Sequence, residues 1–172
     1  MENPSFKWPV TLGRRIPAPA EKVWETISSP GNLSYCHPFC EENPVEQWPG
    51  VGSKDAVHYY NGMVLHREFF QWIVGVGYDL KIGGYKNKPS RVSWRILAES
   101  PTHSTLTISI CAHILQHVPV FIRWLPHYLY LHPMLGSYLN SVLKGFEYYI
   151  TTGQPVKRNQ WGSHHYFSSR KR

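Results

Sequence analysis

The chain has 172 residues and a formal net charge of +7, and its composition is that of a folded globular domain. Hydrophobic residues make up 42% and aromatic residues 15%, which excludes a disordered, collagen-like or coiled-coil protein. No apolar run is long enough for a membrane-spanning helix. The N-terminal sequence MENPSFKWPV lacks the basic and apolar regions of a secretory signal, so the expected location is the cytoplasm.

The positive charge is concentrated at the C-terminus. Residues 153–172 contain Lys157, Arg158, Arg170, Lys171 and Arg172 and no acidic residue, so the rest of the chain is nearly neutral. A nearly neutral body does not favour nucleic acid as a partner. We therefore expect a domain over residues 8–152 and a flexible basic tail over 153–172, with electrostatic attachment of the tail to acidic lipid or RNA as the alternative.

The three cysteines predict neither a disulfide framework nor a metal site. Cys36, Cys40 and Cys111 give an odd count, which is consistent with a reducing compartment. Cys36 and Cys40 flank His37, but no second pair of ligands follows at the spacing of a structural zinc site. We interpret these two residues as buried thiols and expect no metal and no cofactor.

Apolar periodicity predicts a first strand, two short helices, several further strands and a long final helix. Strand 10–16 is followed by a helix within 20–29 and a second short helix near 32–39. Residues 135–150 have apolar side chains at i, i+3, i+4 and i+7 spacing, which predicts a helix of about four turns. Alternating apolar side chains predict the remaining antiparallel strands, around 40–47, 78–82, 91–96 and 105–114.

A hairpin is predicted where Asn61-Gly62 separates the strand-like segments 55–60 and 63–74. A two-residue Asn-Gly loop between such segments is a strong hairpin signal. This turn would sort the side chains into two faces, one with His58, Tyr60, Leu65, Arg67 and Phe69 and the other with Tyr59, His66, Glu68, Phe70 and Trp72. Both faces contain apolar residues, so the pattern leaves open which one lies inside.

The predicted sheet is too broad for the helix that covers it. About seven strands with a spacing of ~4.8 Å span roughly 30 Å, whereas one helix covers a strip roughly 10 Å wide. The sheet must therefore curl around the helix, and such an arrangement tends to leave a hollow between them, where a ligand would bind.

Several segments resemble the SRPBCC superfamily, which includes START domains, birch-pollen-allergen-like proteins and polyketide cyclases. The similar segments are IPAPAEKVW (16–24), Asn32-Leu33 with His37-Pro38, RVSWRI (91–96) and the terminal amphipathic helix. The resemblance covers roughly residues 8–152. It implies an α+β helix-grip fold, in which a curved antiparallel sheet of about seven strands wraps around the long C-terminal helix, with two short helices after the first strand. It also implies that the interior holds an apolar molecule.

Two sets of site residues follow from this arrangement. For ligand binding, the expected residues are Tyr60, Trp72, Trp94, Ile108, Ile110, Leu139, Val142, Leu143 and Phe146. For catalysis, His66 and Glu68 lie two residues apart on one strand, so the carboxylate could orient the imidazole as a base. If the opposite face lies inside, Arg67 and His58 become the internal polar pair instead.

We expect the protein to bind a lipid, polyketide or terpenoid-like molecule as a carrier or sensor. A cyclase or dehydratase acting on such a molecule in the same cavity is one alternative, and a peripheral lipid-transfer protein is another. The segment 115–135 is apolar, aromatic and broken by three prolines, and no acidic residue lies between Glu99 and Glu147. This segment is interpreted as a lid over the cavity, a homodimer surface or a weak membrane contact.

Overall fold

The computed structural model describes residues 8–84, 88–115, 118–119 and 121–168. Within these residues, eight strands form one antiparallel sheet with the order β1-β8-β7-β6-β5-β4-β2, and β3 pairs with β4. The strands are β1 (Val10–Ile16), β2 (Cys40–Glu42), β3 (Val45–Gln47), β4 (Lys54–Tyr59), β5 (Val64–Ile73), β6 (Gly77–Gly83), β7 (Ser90–Ser100) and β8 (His103–Cys111).

Helices occupy two places in the chain. Two short helices, α1 (Ala20–Ile27) and α2 (Leu33–Cys36), connect β1 to β2. After β8 come one turn of helix α3 (Trp124–Pro126), a π-helical turn (His127–Leu131) and the long helix α4 (His132–Thr152), which ends at Gly153 in the left-handed conformation that favours glycine. None of the helices in the described ranges combines the length and the apolar character needed to cross a bilayer. The predicted helix-grip architecture is confirmed.

The core lies between α4 and the inner face of the curved sheet. The buried side chains of α4 follow the predicted helical spacing and include Leu135, Leu139, Val142, Phe146 and Ile150. A Cβ atom on Gly145 of α4 would lie 1.9 Å from the carbonyl oxygen of Cys36. Only glycine therefore allows α4 to approach the end of α2 this closely.

The hairpin between β4 and β5 differs from the sequence prediction by one residue. Tyr60, Asn61 and Gly62 form a three-residue loop, in which Gly62 is left-handed with φ +84° and the N–H of Met63 donates to the Asn61 side chain at 3.0 Å. The predicted two-residue turn is therefore wrong. The extra loop residue shifts the register by one residue, so each side chain of β4 faces the opposite way relative to those of β5. Val57 therefore pairs with Leu65, and Asp55 pairs with Arg67.

A β-bulge at Phe70 changes the direction of the side chains along β5. The register shifts between Phe69, which pairs with Leu80, and Gln71, which pairs with Asp79. Phe69 and Trp72 consequently both point inward, while Phe70 lies outside, with the guanidinium of Arg91 5.5 Å from its ring centroid. The simple alternation that grouped Trp72 with His66 and Glu68 is wrong for this reason.

The chain beyond α4 packs back onto the domain. The N–H of Val156 donates to the carbonyl of Tyr35 at 2.8 Å, and the N–H of Asn159 donates to that of Pro38 at 2.9 Å. Further on, His164 contacts the carbonyl of Met134 at 3.1 Å, and Phe167 is buried. Residues 153–168 are thus held against the domain, contrary to the expected flexible tail, and residues 169–172 lie outside the described residues.

Candidate functional site

A cavity of about 530 Å³ lies between α4 and the sheet. This volume is within the range of small-molecule binding sites. Its wall is formed mainly by apolar side chains from β4 to β8 and from α4, among them Val57, Leu65, Leu80, Val92, Ile108 and Leu135. The arrangement suits an apolar guest, because each square ångström of apolar surface removed from water contributes about 25 cal/mol to binding.

The cavity includes some of the predicted binding residues and excludes others. Trp94, Ile108, Ile110, Leu139 and Val142 line it. The other four, Tyr60, Trp72, Leu143 and Phe146, lie outside its lining. For the five residues that line the wall, a role in binding a ligand remains a prediction.

The four residues outside the lining pack against other side chains of the protein. Trp72 belongs to an aromatic cluster with Trp24, Trp48, Phe69 and Tyr78, whose neighbouring ring centroids are 5.0–5.8 Å apart. The ring centroid of Phe146 lies 5.0 Å from that of Trp94, and Leu143 is completely buried. Tyr60 is in the hairpin loop, with the guanidinium of Arg158 4.6 Å from its ring centroid.

Of the four predicted catalytic residues, only Arg67 reaches the cavity. His66 and Glu68 alternate with it on β5 and therefore lie on the outer face of the sheet. His58 also points outward, with Nδ1 3.8 Å from the exposed carboxylate of Glu42. The structure brings neither His66 with Glu68 nor His58 with Arg67 together inside the domain.

Arg67 is instead paired with Asp55, which the sequence analysis did not select. The guanidinium donates two hydrogen bonds to the Asp55 carboxylate, one of them from Nε at 2.6 Å, and both side chains are almost completely buried. The two charges therefore balance each other inside the domain. The predicted two-residue turn placed Asp55 and Arg67 on opposite faces of the hairpin. Only the correct hairpin register could have shown from the sequence that they pair.

Three further polar side chains meet in the cavity wall, namely His37, Tyr59 and Tyr138. His37 Nε2 is 2.9 Å from the Tyr138 hydroxyl, which is 3.0 Å from the Tyr59 hydroxyl. Burial, followed by the charge of Arg67, lowers the pKa of His37 to about 3. Burial also raises the pKa of Tyr138 to about 12 and raises that of Tyr59 well above its usual value. All three groups are therefore neutral near pH 7.

Sequence reasoning missed this triad. His37 was considered only with the flanking thiols Cys36 and Cys40 and in a segment that resembles the superfamily. Tyr138 follows the apolar spacing of α4, which marks it as an ordinary core residue. Tyr59 was grouped with His66 and Glu68, which lie on the outer face, and the pattern left open which face is inside. Since the three residues come from separate elements, no sequence spacing relates them.

The C-terminal segment completes the wall near the triad. Phe167 lines the cavity, with its ring centroid 4.2 Å from that of Tyr138 and 5.3 Å from that of Tyr59. Tyr166 lines it as well, and its carbonyl accepts a hydrogen bond from the Asn61 side chain at 2.8 Å. The segment expected to be a solvated tail is therefore part of the candidate site.

The described part of the segment 115–135 connects the cavity with an exposed apolar surface. Leu131 and Met134 line the cavity. Just before them, seven large side chains that are between 46% and 78% exposed form what we call the apolar patch: Phe121, Ile122, Trp124, Leu125, Tyr128, Leu129 and Tyr130. Arg123 lies within it and donates to the carbonyl of Val118 through Nε at 3.0 Å.

Comparison with known proteins identifies the class of fold. No family model and no curated protein sequence matches the chain. A START superfamily protein from Mycobacterium smegmatis aligns with a TM-score of 0.67 and 12% identity, over 85% of this chain and 99% of that one. Norcoclaurine synthase from Thalictrum flavum, solved with dopamine and hydroxybenzaldehyde, aligns with a TM-score of 0.59 and 12% identity, over 84% and 86% of the two chains.

DynU16, a protein of the dynemicin biosynthetic locus, has a TM-score of 0.65 and 16% identity over 87% of this chain. This chain spans about half of it, 49%. Identities this low establish the fold alone. The predicted resemblance to the SRPBCC superfamily is therefore confirmed as a likeness of fold, and the chain has the helix-grip fold with an apolar cavity between its helix and its sheet.

Proposed function

We propose that the protein binds one hydrophobic small molecule in this cavity and acts as a carrier or sensor. The observation that carries the proposal is the cavity itself, which has about 530 Å³ of space and a largely apolar wall. A close-packed domain contains few voids larger than a water molecule. A cavity of this size therefore supports ligand binding, and burial of an apolar guest would supply the affinity.

The side chains of the triad favour binding over catalysis at this part of the wall. A general base is most effective when its pKa is close to the working pH. The pKa of His37 is about 3, and burial moves those of Tyr59 and Tyr138 upward. A cyclase or dehydratase acting on a polyketide-like or terpenoid-like substrate remains the alternative, and its support is the solved enzyme with the same fold.

Filling the cavity tests the proposal. Ala112 lines the cavity, so Ala112→Phe places a ring in the space of the guest. With 2-ethylnaphthalene as an apolar probe, we expect at least about tenfold weaker binding, measured by calorimetry, because lost apolar burial accounts for a change of this size. Native mass spectrometry of the purified protein should show the same loss for any molecule that copurifies.

The matched control is Ala98→Phe, since Ala98 is exposed on β7 outside the cavity lining. It should bind the probe as the wild type does. Equal binding by both variants and the wild type would show that the probe site lies elsewhere.

A second candidate function, peripheral contact with a membrane, is favoured by the apolar patch. Its Trp, Tyr, Leu and Phe side chains are the types that insert into a membrane interface, and the sequence from 100 to 146 contains no acidic residue. The patch is adjacent to Leu131 and Met134 of the cavity wall. A guest could then pass between the bilayer and the cavity without crossing water.

Vesicles containing anionic phospholipid test this second function. We expect the wild type to sediment with them and Leu129→Glu to remain in the supernatant, because Leu129 is 72% exposed within the patch. Val74→Glu is the control, since Val74 is 76% exposed in the β5–β6 turn. Sedimentation of all three proteins alike would exclude the patch as the contact.

A further inference from the structure

The triad of His37, Tyr59 and Tyr138 contains a hydrogen-bond donor that the protein itself does not use. All three residues line the cavity, and each is at most 9% exposed. They come from the loop after α2, from β4 and from α4. Their hydrogen atoms can be placed by following the contacts in order.

The imidazole of His37 comes first. Its Nδ1 accepts a hydrogen bond from the backbone N–H of Phe39 at 3.1 Å, so this nitrogen carries no hydrogen. Burial and the charge of Arg67 keep the ring neutral, with a pKa of about 3. The single ring hydrogen is therefore on Nε2, and it is donated to the Tyr138 hydroxyl 2.9 Å away.

The two phenols come next. Tyr138 and Tyr59 each have one hydroxyl hydrogen, and only one of these can occupy the 3.0 Å contact between the two oxygens. In the part of the chain that the structure describes, neither hydroxyl makes any other hydrogen bond than those given above. One O–H consequently remains, at the surface of a cavity whose other walls are largely apolar. A buried donor without a partner is costly, so this hydrogen calls for an acceptor from the guest.

We propose that the Tyr59–Tyr138 pair is a subsite for the carbonyl oxygen of an otherwise apolar, uncharged ligand. This inference rests on the proposed function and specifies the chemistry of the guest. A carbonyl oxygen accepts a hydrogen bond and brings no hydrogen of its own, whereas an alcohol would add a second unused donor. A carboxylate does not suit this subsite, because the charge of Arg67 is already matched by Asp55 and an uncompensated buried anion is strongly disfavoured.

A matched pair of probes tests the subsite. 2-Acetonaphthone and 2-ethylnaphthalene have nearly the same shape and differ in a carbonyl oxygen. We expect the wild type to bind the ketone about fivefold more tightly, as one neutral hydrogen bond allows. The infrared stretching band of the bound ketone should lie below its position in hexane, as it does for a hydrogen-bonded carbonyl.

The decisive variant is Tyr59→Phe combined with Tyr138→Phe, because either single change leaves one hydroxyl that can still donate. The double variant should bind 2-ethylnaphthalene as the wild type does and lose the preference for the ketone. Tyr78→Phe is the control, since this buried hydroxyl donates to the carbonyl of Ile27 and does not line the cavity. It should retain the preference and the shifted band.

The possible results separate the two proposals. If neither probe binds the wild type, the proposed function is overturned and the subsite with it. If both probes bind equally and the carbonyl band stays at its hexane position, the subsite alone is overturned. The infrared measurement on the wild type gives this answer even if the double variant fails to fold.

Discussion

His37 links the chemistry of the cavity to the stability of the fold. Its ring is held between the Phe39 N–H and the Tyr138 hydroxyl, and it is surrounded by the aromatic rings of Phe39 and Tyr59. The positive charge of Arg67 acts on it as well. A protonated imidazole would thus be poorly solvated and electrostatically disfavoured in this position.

The stability of the protein is therefore expected to fall in acid. The pKa of His37 is about 3 in the folded state against an ordinary value of 6.5, so the unfolded state binds one more proton between these pH values. The free energy of unfolding should decrease as the pH falls through this window, by up to about 1.4 kcal/mol per pH unit from this residue. Denaturant unfolding at about pH 5.5 and about pH 4 measures the slope.

A comparison of two variants shows which histidine causes the pH dependence of the unfolding free energy. His37→Gln should remove the contribution of one proton, and His58→Gln, at a partly exposed histidine on the outer face, is the matched histidine control. An unaltered slope in His37→Gln would show that other histidines carry the acid sensitivity, for example His127 and His164, whose pKa values burial also lowers.

At the scale of elements, the packing of α4 against α2 positions the triad. Gly145 brings α4 close to the carbonyl of Cys36, the last residue of α2, and His37 follows directly. Tyr138 lies two helical turns before Gly145 on the same helix. The close approach therefore helps to set the 2.9 Å contact between His37 and Tyr138.

Two glycines of α4 should respond to alanine in opposite directions. Gly145→Ala forces α4 and α2 apart and should lower the free energy of unfolding by about 1–3 kcal/mol. Gly136→Ala meets nothing within 4 Å, so the higher helix propensity of alanine should raise stability by up to about 1 kcal/mol. Urea unfolding of both variants measures the difference, and a stabilised Gly145→Ala would contradict the close packing.

The strand elements show where sequence patterns are sufficient. Strands β7 and β8 alternate regularly up to a register shift after Ala98, and Trp94 and Ile108 lie on the inner face as expected. In β4 and β5, one additional loop residue and one bulge each change the phase of the alternation. The same period then wrongly groups Tyr59 and Trp72 with His66 and Glu68, because a phase shift of one residue reverses every side chain beyond it.

At the scale of the whole molecule, residues 153–168 complete the cavity. Phe167 covers Tyr138 and Tyr59, and the segment is anchored by backbone hydrogen bonds to Tyr35 and Pro38. The interior is therefore closed partly by the chain that follows the helix. The basic residues of this segment led to the prediction of a flexible tail, but its aromatic residue Phe167 packs against the domain.

Removal of this segment should open the site. Deleting residues 154–172 exposes the apolar side chains beneath Phe167, so we expect a loss of stability of about 3–5 kcal/mol, comparable with removal of a buried Phe, and faster release of 2-ethylnaphthalene. Thermal unfolding and stopped-flow fluorescence measure the two effects. Deleting only 169–172 is the control, because it retains Phe167. Equal release rates for both deletions would contradict a role of the segment in closing the cavity.

The sequence by itself determined the order of elements and the amphipathic face of α4, because these depend on periodicities within single segments. Several of its segments also resemble those of START-like proteins. It also indicated a hollow, since a broad sheet cannot be covered by one helix. Only the tertiary structure decided which part of that hollow stays empty, which face of the hairpin lines it and which polar groups meet there. Asp55 with Arg67, and His37 with Tyr59 and Tyr138, come together through register, a bulge and helix packing, which are properties of several segments at once.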